Sequence, residues 1–305
     1  MLHKKVVKLM GNRFEIGIIG DDAELSNSRI DLAISEIQRI EKVLTTFSDD
    51  SVTCEINRNS GIKPVVVPGE VFQLIERSIK ISELTQGAFD ISYGGIDTRF
   101  WNFDTSMKTL PDASEAKKAV RLINYKNIVI NHLESTVFLK EKGMRIGFGG
   151  IGKGYAAERA KNVLQDEGVE SGFVNAAGDL TAWGFQEDRK PWTIGIASPT
   201  HKDSLFASLN ITNTSVATSG NYEKYVMIDG KRYSHTIDPK TGFPVAGIKS
   251  VTIITHNAEL ADAMATPVMV MGKTAGMYLI NQIKGMECII IDDNDKIYFS
   301  NQIKI

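Results

Sequence analysis

A histidine set among hydroxyl-bearing residues is the first place where this chain could do chemistry. Tyr233-Ser234-His235-Thr236 runs into Ile237-Asp238-Pro239-Lys240-Thr241-Gly242, and Thr218-Ser219-Gly220-Asn221-Tyr222 lies shortly before it. An imidazole with an ordinary pKa of about 6.5 takes a proton near neutrality and serves as a general base. Buried polar groups are costly without partners, so this concentration of them reads as a site rather than as core. A structural histidine held by hydrogen bonds would use the same residues, and this segment alone leaves both readings open. The other histidines, His3, His132, His201 and His256, read as surface or terminal residues without a role.

Gly149-Gly150-Ile151-Gly152-Lys153-Gly154 precedes a helix expected over 155–167. Glycines at a helix N-terminus leave backbone N–H groups open to a phosphate, and Lys153 adds positive charge. Neither the Walker A spacing nor the dinucleotide-binding fingerprint is present. A tight strand-to-helix turn without a ligand explains the same glycines. Asp262 and Thr266 stand four apart on a predicted helix and share one face. One carboxylate and one hydroxyl make a sparse site suited to Mg²⁺, which keeps waters and shares ligand phosphates. Pro267 lacks an N–H, so a distortion there is expected to free nearby carbonyls, including that of Ala265. Alternatively, Asp262 merely favours the helix N-terminus and Thr266 packs. Asn175-Ala176-Ala177-Gly178-Asp179 offers an amide, a carboxylate and small residues that let a flat ligand approach, and it also reads as an ordinary turn. Gly87-Ala88-Phe89-Asp90 likewise reads as a site edge or as a plain helix stop.

These segments need rigid elements to hold them. Strands are expected at 5–9 and 14–19, meeting at Met10-Gly11-Asn12. Ile30, Ala33, Ile34, Ile37 and Ile40 follow the helical period and predict a helix over 24–44. A second helix is expected over 70–85, with Phe72, Ile75 and Ile79 inward and Gly87 as its stop. Strands follow at 127–131, 136–140, 172–175, 192–197, 205–211 and 214–218. A hairpin over 224–228 and 231–235 turns on Asp229-Gly230. Strand 250–255, helix 258–271 and strands 287–292 and 296–300 close the chain. Hairpins outnumber strand–helix–strand units, so the expected class is α+β with mostly antiparallel sheet and packed helices. No linker or internal repeat interrupts the 305 residues, which read as one unit of one or two lobes.

Composition excludes several function classes. Hydrophobic residues at 42% and charged residues at 24% are those of a globular domain. A net charge of −2 gives no electrostatic case for nucleic acid. Cys54 and Cys288 are too few and too separated for a disulfide framework or a cysteine zinc site, and read as small buried apolar residues. No apolar run reaches the roughly 18–20 residues of a transmembrane segment. The N-terminus carries lysines but no apolar signal core. The expected compartment is therefore cytoplasmic, or periplasmic or membrane-anchored where a signal has been removed.

In this order the segments resemble the ApbE family of FAD:protein FMN transferases over nearly the whole chain. The resemblance rests on Met10-Gly11, Thr46-Phe47 before Ser51 and Asn57, Gly87 to Asp90, Gly149 to Gly154, Asn175 to Asp179, Ala217 to Gly220, Ser234 to Gly242 and Ala261 to Thr266. It implies an α+β, T-fold-related fold and Mg²⁺-dependent transfer of FMN from FAD to a Ser or Thr of an acceptor flavoprotein. That protein flavinylation forms a phosphoester and releases AMP. Redox-pump subunits are the implied acceptors. Met10, Phe47, Ala88, Phe89, Asp90, Lys153 and the Thr236 backbone are implied FAD contacts, and Asn175, Asp179 and Ser219 complete the expected cofactor-binding set. Gly150, Ala265 (each through its carbonyl), Asp262 and Thr266 are the implied Mg²⁺ ligands, and His235 is the expected catalytic base. An Mg²⁺-dependent FAD pyrophosphatase giving FMN and AMP, and a flavin-binding protein without turnover, are the alternatives. The chain departs from the family pattern in five places. Gly147-Phe148 replaces Asp-Leu, Gly152 replaces alanine, Ala177 replaces the first glycine of Asn-Ala-Gly-Gly-Asp, and Ile91-Ser92 replaces Pro-Thr. The stretch 93–107, with Trp101 and Phe103, is also unlike the family, and no lipobox cysteine is present.

Overall fold

A computed structural model describes residues 1–96, 109–197, 205–220 and 225–303. Asn221, Tyr222, His201, Trp101 and Phe103 lie outside the described residues. Strands β1 (Leu2–Leu9) and β2 (Asn12–Ile19) pair around Met10-Gly11, both at positive φ (49° and 72°). Helix α1 (Ala23–Leu44), α2 (Val52–Arg58), strand β3 (Val65–Val66) and α3 (Gly69–Leu84) follow. A 3₁₀ turn at Ile91–Gly95, α4 (Ala113–Ala119), a second 3₁₀ turn at Tyr125–Asn127, β4 (Ile128–Asn131) and β5 (Thr136–Leu139) lead to α5 (Gly152–Asp166). The chain continues through β6 (Gly172–Ala176), β7 (Asp179–Trp183), β8 (Trp192–Ala197), β9 (Leu205–Ile211) and β10 (Thr214–Gly220). It ends with β11 (Tyr225–Ile228), β12 (Lys231–Ser234), β13 (Ile248–Thr255), α6 (Ala258–Ile280), β14 (Met286–Asp292) and β15 (Ile297–Phe299).

Eight of these strands form an antiparallel sheet in the order β1-β2-β6-β7-β10-β13-β14-β15. Helices α1, α5 and α6 pack side by side, with α5 against β6 and β7 and α6 against β10 and β13. The spacing of apolar residues in α1 explains its seat. Ile30, Ala33, Ile37 and Ile40 are buried together, and Ile34 sits at the rim. Each fully buried aliphatic side chain contributes roughly 1.5–3 kcal/mol. Asp22 and Asn257 accept the N–H groups of Leu25 and Leu260 and so start α1 and α6 with side-chain caps. β3, β5 and β4 form a separate three-stranded sheet, β8 pairs with β9, and β11 pairs with β12 through the expected Asp229-Gly230 turn. The α+β class with mostly antiparallel sheet is the one expected.

Two local expectations change and one open reading is resolved. Helix α5 begins at Gly152 rather than 155, so Lys153 and Gly154 belong to its first turn. Helix α6 passes through Pro267 without a break and instead breaks at Gly272 (φ 79°, ψ 168°) before running on to Ile280. The distortion expected at the proline is therefore absent there; a glycine, free to adopt positive φ, takes it one and a half turns later. Asn175–Asp179 is the tip of the β6–β7 hairpin, with Ala177 and Gly178 at φ 54° and 102°. Cys54 and Cys288 are buried free thiols, as expected. No helix among the described residues is long and apolar enough to cross a membrane.

Candidate active site

The close crossing of α5 and α6 sets the centre of the site. A Cβ on Gly154 would collide with the Ala258 carbonyl and with Asp262, so only glycine lets the two helices meet here. No side chain of the preceding segment caps α5. Asp262, reaching across from α6, accepts the Gly154 N–H with Oδ2 at 2.9 Å. Its Oδ1 lies 3.4 Å from Lys153 Nζ, and the same ammonium donates to Asp179 Oδ2 at 2.5 Å. The half-buried Lys153 and the buried Asp179 and Asp262 thus form one cluster drawn from α5, the β6–β7 hairpin and α6.

Two buried carboxylates face one ammonium in that cluster. Burial and the charge of Asp262 push the Asp179 carboxyl well above the usual carboxylate range, against the opposing pull of Lys153. Burial alone would lower the Lys153 pKa, but Asp262 and Asp179 outweigh it and hold the ammonium protonated. The surplus of negative charge is what a divalent cation would balance. Thr266 stands one turn beyond Asp262, half-buried, with its Oγ1 3.4 Å from Ser219 Oγ. Among the described residues no three His, Cys, Asp or Glu side chains converge on a metal position. Beside Thr266 the donors on offer are the Asp262 carboxylate, hydroxyls and backbone carbonyls, a hard and sparse set that fits Mg²⁺ with retained waters.

Two chambers flank the glycine-rich segment, and Gly147 and Gly149 border both. The first, about 430 Å³, has Phe89, Gly150, Ser219, His235, Thr236 and Thr266 on its wall. The second, about 520 Å³, is bordered by Met10, Phe47, Glu41 and Lys153. Phe47 is 98% exposed at its mouth. Met10 owes its place to the positive-φ turn of the first hairpin.

Backbone pairing fixes the His235 segment. The Ser234 N–H donates to the Val245 carbonyl and the Val245 N–H to that of Thr236. Ser234 Oγ accepts the Thr236 N–H, and the Tyr93 hydroxyl accepts the Ile237 N–H at 3.2 Å. Asp238 then closes its turn by accepting from Lys240 N–H and the Thr241 hydroxyl. Gly242, at φ 77°, lies against the Ala116 carbonyl where a Cβ would collide, which ties this turn to α4.

The fold thus brings together His235, Thr236, Ser219, Thr266, Gly150, Ala88, Phe89 and Asp90 on one side and Met10, Phe47 and Lys153 on the other. Asp179, Asp262 and Ala265 are buried behind them. Asp90 borders the first chamber, yet its carboxylate already accepts the Ser92 N–H and hydroxyl and the Tyr125 N–H. Burial raises its pKa against those bonds. Asn175 borders neither chamber. Its Oδ1 accepts the Gly178 N–H and holds the hairpin tip. Gly147 donates to the Ile91 carbonyl, and a Cβ there would face Thr46. Tyr93 and Glu41 are site residues that the sequence did not single out, since neither stands in a recognisable pattern.

The chain matches the family model described as the ApbE family over residues 10–290. An FAD:protein FMN transferase of Klebsiella pneumoniae (strain 342) is 30% identical over 295 residues, covering 96% of this chain and 90% of that protein. One from Treponema pallidum (strain Nichols) is 31% identical over 275 residues, covering 84% and 74%. Among solved structures, the ApbE protein of Thermotoga maritima superposes with a TM-score of 0.87 at 30% identity over 99% of this chain and 97% of that one. The flavin transferase ApbE from Vibrio cholerae gives 0.83 at 26% identity over 99% and 97%.

Proposed function

The chain belongs to the ApbE family, and we propose that it is an FAD:protein FMN transferase that moves FMN from FAD to a Ser or Thr hydroxyl of an acceptor flavoprotein. The observation that carries this reading is the meeting of His235, Ser219, Thr266 and Gly150 in one chamber, with Asp262 of the Asp262–Lys153–Asp179 cluster one turn before Thr266 on α6. FAD lies across both chambers, against Phe89 and Thr236 on one side and Met10 and Phe47 on the other. Lys153 adds positive charge beside the glycine-rich segment. His235 takes the proton of the incoming hydroxyl, whose oxygen bonds to the FMN phosphorus as the P–O bond to AMP breaks. The hydroxyl proton ends on the imidazole and the electron pair of the broken bond leaves on AMP.

Asp262, Thr266 and the Gly150 carbonyl would hold Mg²⁺, which when bound screens the pyrophosphate charge and stabilises its developing negative oxygens, whereas Ala265 lies in an unbroken stretch of α6 that does not free its carbonyl. The acceptor belongs to the redox-pump class of flavoproteins. Mass spectrometry of a candidate acceptor incubated with enzyme, FAD and Mg²⁺ tests the reading. One FMN added per target hydroxyl, with matching AMP, supports it. AMP with free FMN and an unmodified acceptor identifies a pyrophosphatase, and retention of intact FAD identifies a binding protein.

A further inference from the structure

A third groove, about 840 Å³, opens beside the His235 chamber and meets it at Asp90 and Pro239. It shares no residue with the Met10–Phe47–Lys153 chamber. FAD held across the two chambers therefore leaves this side open. Lys117 of α4, Arg121 just beyond it, Lys126 of the second 3₁₀ turn and Lys240 of the Asp238–Gly242 turn all border the groove. All four are exposed, and none pairs with a described carboxylate. Against them stand Glu83 and Asp90, and the Asp90 oxygens are already committed to Ser92 and Tyr125. Among its described residues the groove is thus net cationic, on a chain whose overall charge is −2.

The groove is also rigidly tied to His235. Gly242 packs on Ala116 of α4, so the wall carrying Lys117 and the wall carrying Lys240 keep a fixed relation. His235 lies five residues before Lys240 on the same hydrogen-bonded segment. Lys240 and Tyr125 flank Gly87, with side-chain atoms 3.7 and 3.6 Å from its Cβ direction. A chain lying along this groove would bring its hydroxyl towards His235 from the side not taken by the two chambers.

We propose that this groove docks the acceptor polypeptide and selects a segment with acidic residues beside the target Ser or Thr. The proposal rests on the transferase reading for its occupant and on charge complementarity for the chemistry of that occupant. Removing the cations should weaken acceptor binding and make it insensitive to salt, and should leave FAD binding alone.

The test uses short fluorescein-labelled peptides with a central Thr, flanked by Asp in one and Asn in the other, read by anisotropy. The protein is compared with a variant carrying Lys117→Ser, Arg121→Ser, Lys126→Ser and Lys240→Ser, all exposed positions whose replacement spares the core. At low salt the Asp peptide should bind about tenfold more tightly than the Asn peptide, and that advantage should vanish in the variant and at high salt. FAD affinity, read by flavin fluorescence, should be the same in both proteins. Equal binding of the two peptides by the unaltered protein overturns the proposal. So does a tenfold loss of FAD affinity in the variant, which would give the groove to the nucleotide's phosphates. Preferred binding of the Asp peptide without FMN transfer to any acceptor sinks the transferase reading and leaves the acidic-peptide groove standing.

Discussion

The carboxylate of Asp262 accepts the backbone N–H of Gly154 at 2.9 Å across the crossing of α6 and α5. One residue therefore serves two ends. It satisfies a first-turn N–H of a helix that lacks a side-chain cap, and it places negative charge beside the glycine-rich segment.

The two roles of Asp262 come apart on substitution. Asp262→Asn keeps an oxygen that can accept from Gly154, so thermal stability should stay close to that of the unaltered protein, while Mg²⁺-dependent FMN transfer is abolished. Asp262→Ala removes the acceptor as well and should cost a further ~1–3 kcal/mol, because a buried N–H is left unmet. Melting curves and transfer assays with graded Mg²⁺ measure both. Full Mg²⁺-dependent activity in the Asn variant would reject Asp262 as a ligand.

His235 lies in the chamber wall and not in the core, so its loss should act on rate. His235→Ala should bind FAD as before and transfer FMN about 10²–10⁴-fold more slowly, the usual worth of general-base help. Flavin fluorescence titration and single-turnover transfer separate binding from chemistry. Transfer at the original rate would remove His235 from the mechanism.

What the sequence made legible follows from length and period. α1 and α3 carry enough turns for their apolar spacing to register, and their bounds came within a residue. α2 and α4 have seven residues each, too few for a period. Only their caps betray them: Ser51 accepting from Cys54, and the Asp112–Glu115 capping box. Asp262 and Thr266 were legible as one helix face because that spacing is local. The contact of Asp262 with Gly154 was not, because it depends on how closely two helices pack. Asn175 was legible as a turn residue but not as that alone, since its amide suits a ligand and a hairpin tip equally well. Tyr93 stayed hidden because its partner, Ile237, is distant in sequence and offers only a backbone N–H.

The charge network that joins α1, α3 and α5 sets an acid limit on stability. Arg39 bonds both Glu36 and Glu70, and Tyr155 donates to Glu70. The Arg39 hydrogen bonds hold both carboxyls below the ordinary Glu value. A lowered folded-state pKa means stability that is present above the unfolded value, about 4.3, and is lost as pH falls through the folded one. Glu70→Gln should therefore lower stability at neutral pH by roughly 1 kcal/mol or less, since the pair is partly solvated. The gap should close in acid as pH falls through the lowered folded-state value, below which both proteins carry a neutral side chain at this position. Melting temperature against pH checks it, and a gap that widens in acid would contradict the assignment.

Tyr93 offers the sharpest test of how His235 is held. Its hydroxyl oxygen accepts the Ile237 N–H, two residues beyond His235, and burial pushes the phenol up to about 12. Tyr93 is thus neutral at working pH and supports the segment by position, not by exchanging protons with substrate. Tyr93→Phe keeps the ring and removes only the acceptor. The Ile237–Pro244 bridge and the Val245–Thr236 hydrogen bond still carry the segment, so the protein should fold with a stability loss of about 1 kcal/mol. The freed segment should misplace the imidazole and lower kcat about tenfold, because small displacements of a catalytic group are costly in rate. KM for FAD and the apparent pKa values of the pH–rate profile should stay where they were. A shifted profile would mean that Tyr93 itself titrates in the reaction. An unchanged kcat alongside the stability loss would mean that the segment's other contacts suffice to aim His235.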